Sequence, residues 1–248
     1  MYWCGIMPEN ESAAYTGFLY EEQVLKLLLK YSEDFAKEQK MENSILYLGR
    51  KNLSGKELSL IAISVSLALG DRDSAFIHFQ QARKFKVSKS EIMDIIKATK
   101  MILMSSSMSS FKTCLPIMQE KSRLGYNRKE VEKIVNRLKK ELNLGLVPES
   151  LDTLSQFSFE LFTEHLRERT ELLSPLKLDM KFIYLVAFSV SLILGFGECI
   201  KIYLSLFFEN DGTLGDVEDA IAVTRFVTGN RAIISAIDIL KNMDNLPI

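Results

Sequence analysis

Three polar residues at helical spacing could carry out chemistry. Asp71, Ser74 and His78 lie at positions i, i+3 and i+7, so a helix would place them on one face. A carboxylate, a hydroxyl and an imidazole offer nucleophilic or acid–base chemistry, provided that each partner orients the next. The structural alternative is that Asp71 caps its helix, Ser74 is a neutral filler and His78 is partly exposed. His78 as a lone general base or substrate ligand is the sharpest prediction of this set.

Cys199 is the second candidate for chemistry. It follows Glu198 near a predicted helix start. A helix N-terminus would lower the thiol pKa, whereas the carboxylate and the apolar surroundings would raise it. Cys199 is therefore either reactive or a small buried residue of an apolar helix. Cys4 and Cys114 fit no motif, and His165 lies in a charged helix and is expected to be solvated.

The composition excludes several classes of protein. The 248 residues include 31 Lys and Arg against 32 Asp and Glu, a net charge of −1, and 47% are hydrophobic. Intrinsic disorder needs lower hydrophobicity and higher net charge, and a dedicated nucleic-acid binder needs a cationic surface. Two histidines and three scattered cysteines provide neither zinc-ligand spacing nor a disulfide scaffold. With no phosphate-binding glycine loop either, we expect no metal, no cofactor and no nucleic-acid partner.

The apolar segments are too short for a membrane protein. The longest, residues 182–197, spans 16 positions (197 − 182 + 1), whereas a bilayer span needs ~20 apolar residues. It is predicted to be a buried core helix. Residues 1–12 contain no basic residue and no apolar run of signal-peptide length. These features predict a cytoplasmic protein with free thiols and no membrane association.

The chain repeats itself at an offset of 125 residues. Residues 53–70 align without a gap on residues 178–195 (178 − 53 = 125), and ten of these 18 positions are identical. The same offset brings Ile96 onto Ile221 further along the chain. An ungapped match of this extent is not expected by chance, so the chain is interpreted as a duplicated unit.

Each copy has residues that cap a helix start and a glycine that ends a helix. The start signals are Ser54 with Glu57, Ser88 with Glu91, Asp179, and Thr213 with Asp216. Gly70 and Gly195 can adopt the left-handed conformation that ends a helix. No segment has convincing period-two alternation, so the sequence predicts an all-α fold of two stacked helical repeats.

The predicted domain organisation has three parts. Residues 18–125 form the first repeat, residues 126–148 a linker helix with its loop, and residues 149–248 the second repeat. The basic residues of the linker helix are Lys129, Lys133, Arg137, Lys139 and Lys140. Glutamates are interleaved with them, and an ordinary solvated surface explains the pattern more simply than a binding site.

Residues 53–92 carry a pattern that extends over several predicted helices. It consists of Leu53, Lys56, residues 60–66 (LIAISVS), Gly70, His78, Ala82 and residues 88–92 (SKSEI). In this register the chain resembles the carboxymuconolactone decarboxylase and alkylhydroperoxidase D superfamily. The second copy matches through Leu178, Lys181, residues 185–187 (LVA) and Gly195. The resemblance implies two tandem alkylhydroperoxidase D-like helical repeats.

At most of the catalytic positions of that superfamily this chain has other residues. Peroxide-reducing members have Cys-x-x-Cys-x-x-x-His and an earlier glutamate that relays a proton through the histidine. The two cysteine positions hold Asp71 and Ser74 in the first copy, and Phe196 and Cys199 in the second. The histidine positions hold His78 and Tyr203, and the glutamate positions hold Ser59 and Tyr184. Neither copy has a dithiol, so the resemblance is to a tandem-repeat member without the redox pair.

Three functions follow from these observations, and whether the protein is an enzyme is left open. The first is small-molecule binding or non-redox acid–base chemistry around His78, with Ser59, Asp71 and Ser74 near it. The second is a non-catalytic oligomer whose pocket is filled by packing. The third and weakest is a one-cysteine peroxidase that uses Cys199 with an external thiol. The resemblance also implies a homo-oligomer, for which we expect a trimer.

Overall fold

A computed structural model describes residues 19–121, 132–133, 136–137 and 149–246. Cys4 and most of the predicted linker helix, with Lys129, Lys139 and Lys140, lie outside the described residues. Every regular element of the described part is helical, so the prediction of an all-α fold is confirmed. None of the helices in this part is long and apolar enough to cross a membrane.

The helices follow one another with short connections. In chain order they are α1 (Leu19–Tyr31), α2 (Glu33–Glu42), a π-helical turn (Asn43–Leu48), α3 (Gly55–Ala68), α4 (Arg72–Lys84), α5 (Lys89–Ser107), α6 (Phe111–Lys121), α7 (Glu149–Phe157), α8 (Phe159–Leu172), α9 (Met180–Leu194), α10 (Gly197–Glu209), α11 (Leu214–Ser235), α12 (Ile237–Asn242) and a 3₁₀ turn (Met243–Asn245).

The predicted capping residues start the helices. The Glu57 backbone N–H donates to the Ser54 hydroxyl at 3.3 Å, and the Ser54 N–H donates to the Glu57 carboxylate at 2.8 Å. Ser88 and Thr213 form the same reciprocal arrangement at α5 and α11, and Asp179 caps α9. These helix starts are therefore confirmed, because each cap satisfies backbone donors that have no partner inside the helix.

Gly70 and Gly195 lie in the turns that follow α3 and α9. Their φ angles are +69° and +64°, a region that residues with a Cβ rarely adopt. The chain turns sharply at these glycines, and the next helices begin only two residues later, at Arg72 and Gly197. The predicted role of both glycines is confirmed.

The helix starts recur at the predicted offset. Helices α3, α4 and α5 begin at residues 55, 72 and 89, and helices α9, α10 and α11 begin at residues 180, 197 and 214. Each helix of the second set begins 125 residues after its counterpart in the first set, as in 180 − 55. Buried serines recur likewise, since Ser64 and Ser189 each donate to the carbonyl four residues earlier. This agreement supports the duplicated unit, which stays a prediction. The predicted boundaries at residues 125, 126 and 148 lie outside the described residues.

Both halves of the chain contribute to one hydrophobic core. Helices α3 and α9 contact each other, and both contact α5 and α11. Leu60, Ile61 and Val65 on α3 and Val186 and Val190 on α9 are completely buried. A helix that is apolar on nearly every face must be covered on every face. The longest apolar segment of the sequence is accordingly the buried helix that was predicted.

Two buried aspartates connect each half to the other. Asp94 on α5 accepts from the backbone N–H groups of residues 176–178 at 2.7–3.0 Å. Asp219 on α11 accepts from the N–H groups of Asn52 and Leu53 at 2.8 and 2.9 Å. Since 94 + 125 = 219, the two carboxylates are equivalent, and each holds the segment before the long helix of the other half. Both positions hold aspartate at the offset of 125 residues, which is a sequence signal that the sequence analysis missed.

Asp219 also forms a largely buried ion pair. Its carboxylate lies 2.7 Å from Nε of Arg50, and the two side chains are 0% and 18% exposed. A second guanidinium nitrogen lies 2.6 Å from the exposed carboxylate of Glu218. Burial acts to raise the pKa of Asp219, but hydrogen bonds from the Leu53 backbone and from Arg50 outweigh it and hold that pKa below its usual value.

Candidate functional site

His78 lies at the end of a chain of hydrogen bonds. The residue is 5% exposed on α4, and its Nδ1 lies 3.2 Å from the Tyr47 hydroxyl. Tyr47 donates to Ser59 Oγ at 3.2 Å, and Ser59 donates to the carbonyl of Gly55 at 2.7 Å. Because the hydroxyl proton of Tyr47 is directed at Ser59, Nδ1 of His78 must be the protonated nitrogen. The lone pair of the neutral imidazole is therefore on Nε2.

Tyr47 is a site residue that the sequence analysis missed. It lies in the π-helical turn that continues α2 (Asn43–Leu48). The wider turn shifts the helix face relative to an α-helix. Such turns are rare in proteins, and those that occur are often found at functional sites. No capping signal or periodicity marks a π-helical turn in a sequence. Through Tyr47, the turn connects His78 to Ser59, which was expected near it.

Aromatic rings from both halves surround the imidazole. The Tyr47 ring is perpendicular to the His78 ring with centroids 5.2 Å apart, and Phe226 of α11 stacks on Tyr47 at 5.2 Å. Burial lowers the pKa of His78 to about 3, because a charged imidazolium would lose its hydration here. His78 is therefore neutral at physiological pH. It can accept a hydrogen bond, and it is a weaker base than an exposed histidine.

Asp71 and Ser74 are directed to partners other than His78. Asp71 caps α4, with Oδ1 accepting from the Ser74 backbone N–H at 3.0 Å. Its Oδ2 is buried and has no hydrogen-bond partner in the described part of the chain. The Ser74 hydroxyl lies 2.9 Å from the Ser66 hydroxyl. The three residues share one helix, but their side-chain hydrogen bonds do not form a nucleophilic triad.

The equivalent positions of the second half hold a buried thiol and aromatic rings. Cys199 lies in the first turn of α10 and is 3% exposed. Burial, and then the charge of Glu198, raise its pKa to about 12. The thiolate is the reactive form of cysteine, so Cys199 is protonated and poorly reactive at neutral pH. The rings of Tyr184 and Tyr203 stack with centroids 6.4 Å apart.

A small cavity lies against the second-half positions. Its volume is about 30 Å³, and its polar lining consists of Ser105, Ser150, His165, Arg169, Cys199 and Tyr203. His165, which was expected to be solvated, is half-buried in this lining. Burial, and then the charge of Arg169, lower the pKa of His165. Ser105, Ser150, His165 and Arg169, which lie outside the family's catalytic positions, therefore line the cavity together with Cys199.

The described residues contain no group of three or more His, Cys, Asp and Glu side chains that could hold a metal ion. Cys114 is exposed on α6 and is not part of a disulfide.

Comparison with known proteins places the first site in a family context. Residues 39–106 match the model of the carboxymuconolactone decarboxylase family. This chain resembles that family, as predicted. The matched segment contains Tyr47, Ser59 and His78, so the hydrogen-bonded chain lies wholly within the carboxymuconolactone decarboxylase-like region.

A solved structure extends the likeness to most of the chain. A candidate gamma-carboxymuconolactone decarboxylase subunit from Burkholderia xenovorans superposes with a TM-score of 0.70 at 13% identity. The match covers 89% of this chain and 94% of that chain. At this identity the likeness concerns the carboxymuconolactone decarboxylase-like fold and not the activity. No curated protein matches the chain.

Proposed function

We propose that this protein acts on a small organic molecule by non-redox acid–base chemistry at His78. The hydrogen-bonded chain from His78 through Tyr47 to Ser59 supports this proposal. It orients a neutral imidazole with its lone pair on Nε2, the atom that would accept a hydrogen bond or a proton from the substrate. The carboxymuconolactone decarboxylase-like fold agrees with such a role, because decarboxylation of a lactone requires proton transfer but no electron acceptor.

Thiol chemistry receives less support. Neither repeat has a Cys-x-x-Cys pair, and Cys199 stands without a second cysteine at its family position. A pKa of about 12 leaves Cys199 almost entirely protonated at neutral pH. These two observations favour acid–base chemistry over the one-cysteine peroxidase.

Turnover of γ-carboxymuconolactone tests the role of His78. We expect the wild type to release CO₂ and His78→Asn to be slower by about 100-fold or more, the usual contribution of a general base. Asparagine can keep a hydrogen bond to Tyr47 but has no base at the position of Nε2. Asp238→Asn, at a carboxylate that is 90% exposed, is the control. Equal rates of CO₂ release in the wild type and in His78→Asn would contradict the proposal.

A non-catalytic protein is the second candidate function. In the second half, buried aromatic side chains occupy positions of the family's catalytic residues, which favours this candidate. Phe196 and Tyr203 are 4% and 3% exposed. The cavity left beside them is only about 30 Å³. A folded wild type that neither releases CO₂ nor binds the lactone in calorimetry would support this candidate over the first.

We also infer that the chain forms a homo-oligomer. Helices α3, α4 and α5 line an open groove in which Leu67, Phe76 and Ile96 are 37–59% exposed. Clustered apolar surface of this kind is typical of an interaction site. We expect a trimer in sedimentation equilibrium, and Phe76→Glu should shift the mass towards the 28.3 kDa monomer. Leu246→Glu is the control outside the groove, and a monomeric wild type would disprove the inference.

A further inference from the structure

The cavity beside Cys199 is large enough for a small ligand. Residues of α7, α8 and α10 line it together with Ser105 near the end of α5. Its volume is about 30 Å³, and a cavity needs ~10–15 Å³ to hold one water molecule. None of the residues that line it belongs to the His78 site, so any ligand here would be distinct from the molecule on which His78 acts.

Arg169 brings a positive charge to the lining of this cavity, and the charge of Glu198 acts on Cys199 beside it. Its side chain is half-buried in the lining and lies beside the Tyr203 hydroxyl. In the described part of the chain Arg169 has no carboxylate within ion-pair distance. The carboxylate of Glu198 instead accepts from the Ser150 hydroxyl at 2.7 Å and from its backbone N–H at 3.2 Å. A half-buried guanidinium without a carboxylate partner favours an anionic ligand.

Ser105 and Cys199 add two further polar groups to the lining. Ser105 is 7% exposed and Cys199 is 3% exposed. Neither side chain has a hydrogen-bond partner among the residues that the structure describes. The Ser105 hydroxyl is accessible from the cavity, so a ligand or a water molecule there can bond to it. Ser105 therefore offers a hydrogen bond to a guest in addition to the charge on Arg169.

The start of α10 adds donors at the same place. Phe196 occupies its N-cap position and offers no side-chain hydrogen bond to the first turn. Phe196 and Cys199 both line the cavity. Backbone N–H groups at an uncapped helix start favour anions, because they lack partners within the helix.

We propose that this cavity binds a short aliphatic monocarboxylate of the size of acetate. A carboxylate can accept two parallel hydrogen bonds from the guanidinium of Arg169. One cation compensates one negative charge, which disfavours a dianion such as sulfate. Leu151, Leu154 and Ile202 supply an apolar wall that suits a short alkyl group.

Saturation-transfer NMR on the acetate methyl group tests the proposal. We expect a saturable signal with wild-type protein and an affinity at least tenfold weaker in Arg169→Met. Ser105→Val should weaken binding as well, because it removes the hydroxyl and reduces the volume of the cavity. Arg169→Lys should recover part of the affinity, since it restores the charge but not the bidentate geometry. Asp238→Asn is the surface control, with a carboxylate that is 90% exposed.

Unfolding transitions establish that each variant is folded before its binding is compared. Saturable acetate binding that is lost in folded Arg169→Met supports the proposal. A signal that rises linearly with acetate in the wild type overturns it, as does unchanged saturation in Arg169→Met. Displacement of acetate by chloride at equal concentration and ionic strength also overturns it, because the site would then recognise charge without the carboxylate.

Discussion

Asp219→Asn is expected to lower the free energy of unfolding by about 3–5 kcal/mol, the usual cost of removing one partner from a buried ion pair. The Asp219 side chain is 0% exposed and binds Arg50 at 2.7 Å. It also accepts the backbone N–H groups of Asn52 and Leu53. A neutral amide cannot compensate the guanidinium charge, and it has one acceptor oxygen where the carboxylate has two.

Urea denaturation at pH 7 measures this loss. Asp94→Asn is the matched variant, because Asp94 accepts backbone N–H groups at the equivalent position of the other half. We expect it to cost less, about 1–3 kcal/mol, the usual cost of leaving buried donors without partners. Asp238→Asn at an exposed carboxylate should stay within ~0.5 kcal/mol of the wild type. A loss in Asp219→Asn no greater than in Asp238→Asn would disprove the structural role of Asp219.

The difference in stability between the wild type and Asp219→Asn depends on pH. The pKa of Asp219 is lowered from 3.8 in the folded protein, so the unfolded chain takes up its proton first as the pH falls. The stabilising contribution of Asp219 is complete above the unfolded pKa and is lost as the pH falls through the lowered folded pKa. The difference between the wild type and Asp219→Asn should therefore be constant above about pH 5 and shrink below 3.8.

Lowering the pH from 7.5 to 5 is expected to destabilise the wild type, and His78→Asn should remove most of that loss. The pKa of His78 falls from 6.5 to about 3 on folding. Between these values the unfolded chain binds a proton that the folded chain excludes, so stability falls by about 1.4 kcal/mol per pH unit. His78 does not lower the free energy of unfolding above pH 6.5. Below that pH the free energy of unfolding falls until the pH reaches about 3, where the folded imidazole is also protonated.

Urea denaturation at pH 7.5, 6 and 5 measures the slope. The chain has two histidines, and the pKa of His165 is also lowered by burial. His165 is only half-buried, so His165→Asn should remove a smaller part of the slope. Protonation of Asp219 changes the stability only below about pH 5, so it does not affect the slope measured between pH 7.5 and 5. An unchanged slope in His78→Asn would show that the imidazole is accessible to protons in the folded state.

Several features of this protein follow from local or compositional information. The capping boxes at Ser54, Ser88 and Thr213 were recognisable because a cap depends on residues three positions apart. The absence of a dithiol at the family positions is a direct property of residue identity. The resemblance to carboxymuconolactone decarboxylases was recognisable for the same reason, since it rests on residue types in a fixed register within residues 53–92.

The contacts that define both candidate sites depend on the tertiary structure. His78 and Tyr47 are 31 positions apart, and a π-helical turn without a sequence signal aligns them. Arg169 reaches Tyr203 from a different helix, and both line a cavity that Ser105 also borders.

The sequence by itself determined which residue types are available and where helices start and end, because those properties depend on neighbours within one or two turns. Only the tertiary structure decided which polar groups lose water and which partners replace it. Burial makes His78 neutral and Cys199 a protonated thiol, and it joins Asp219 to Arg50 across 169 positions of sequence. Such effects arise from desolvation and from pairing between distant segments, which helical periodicity does not record.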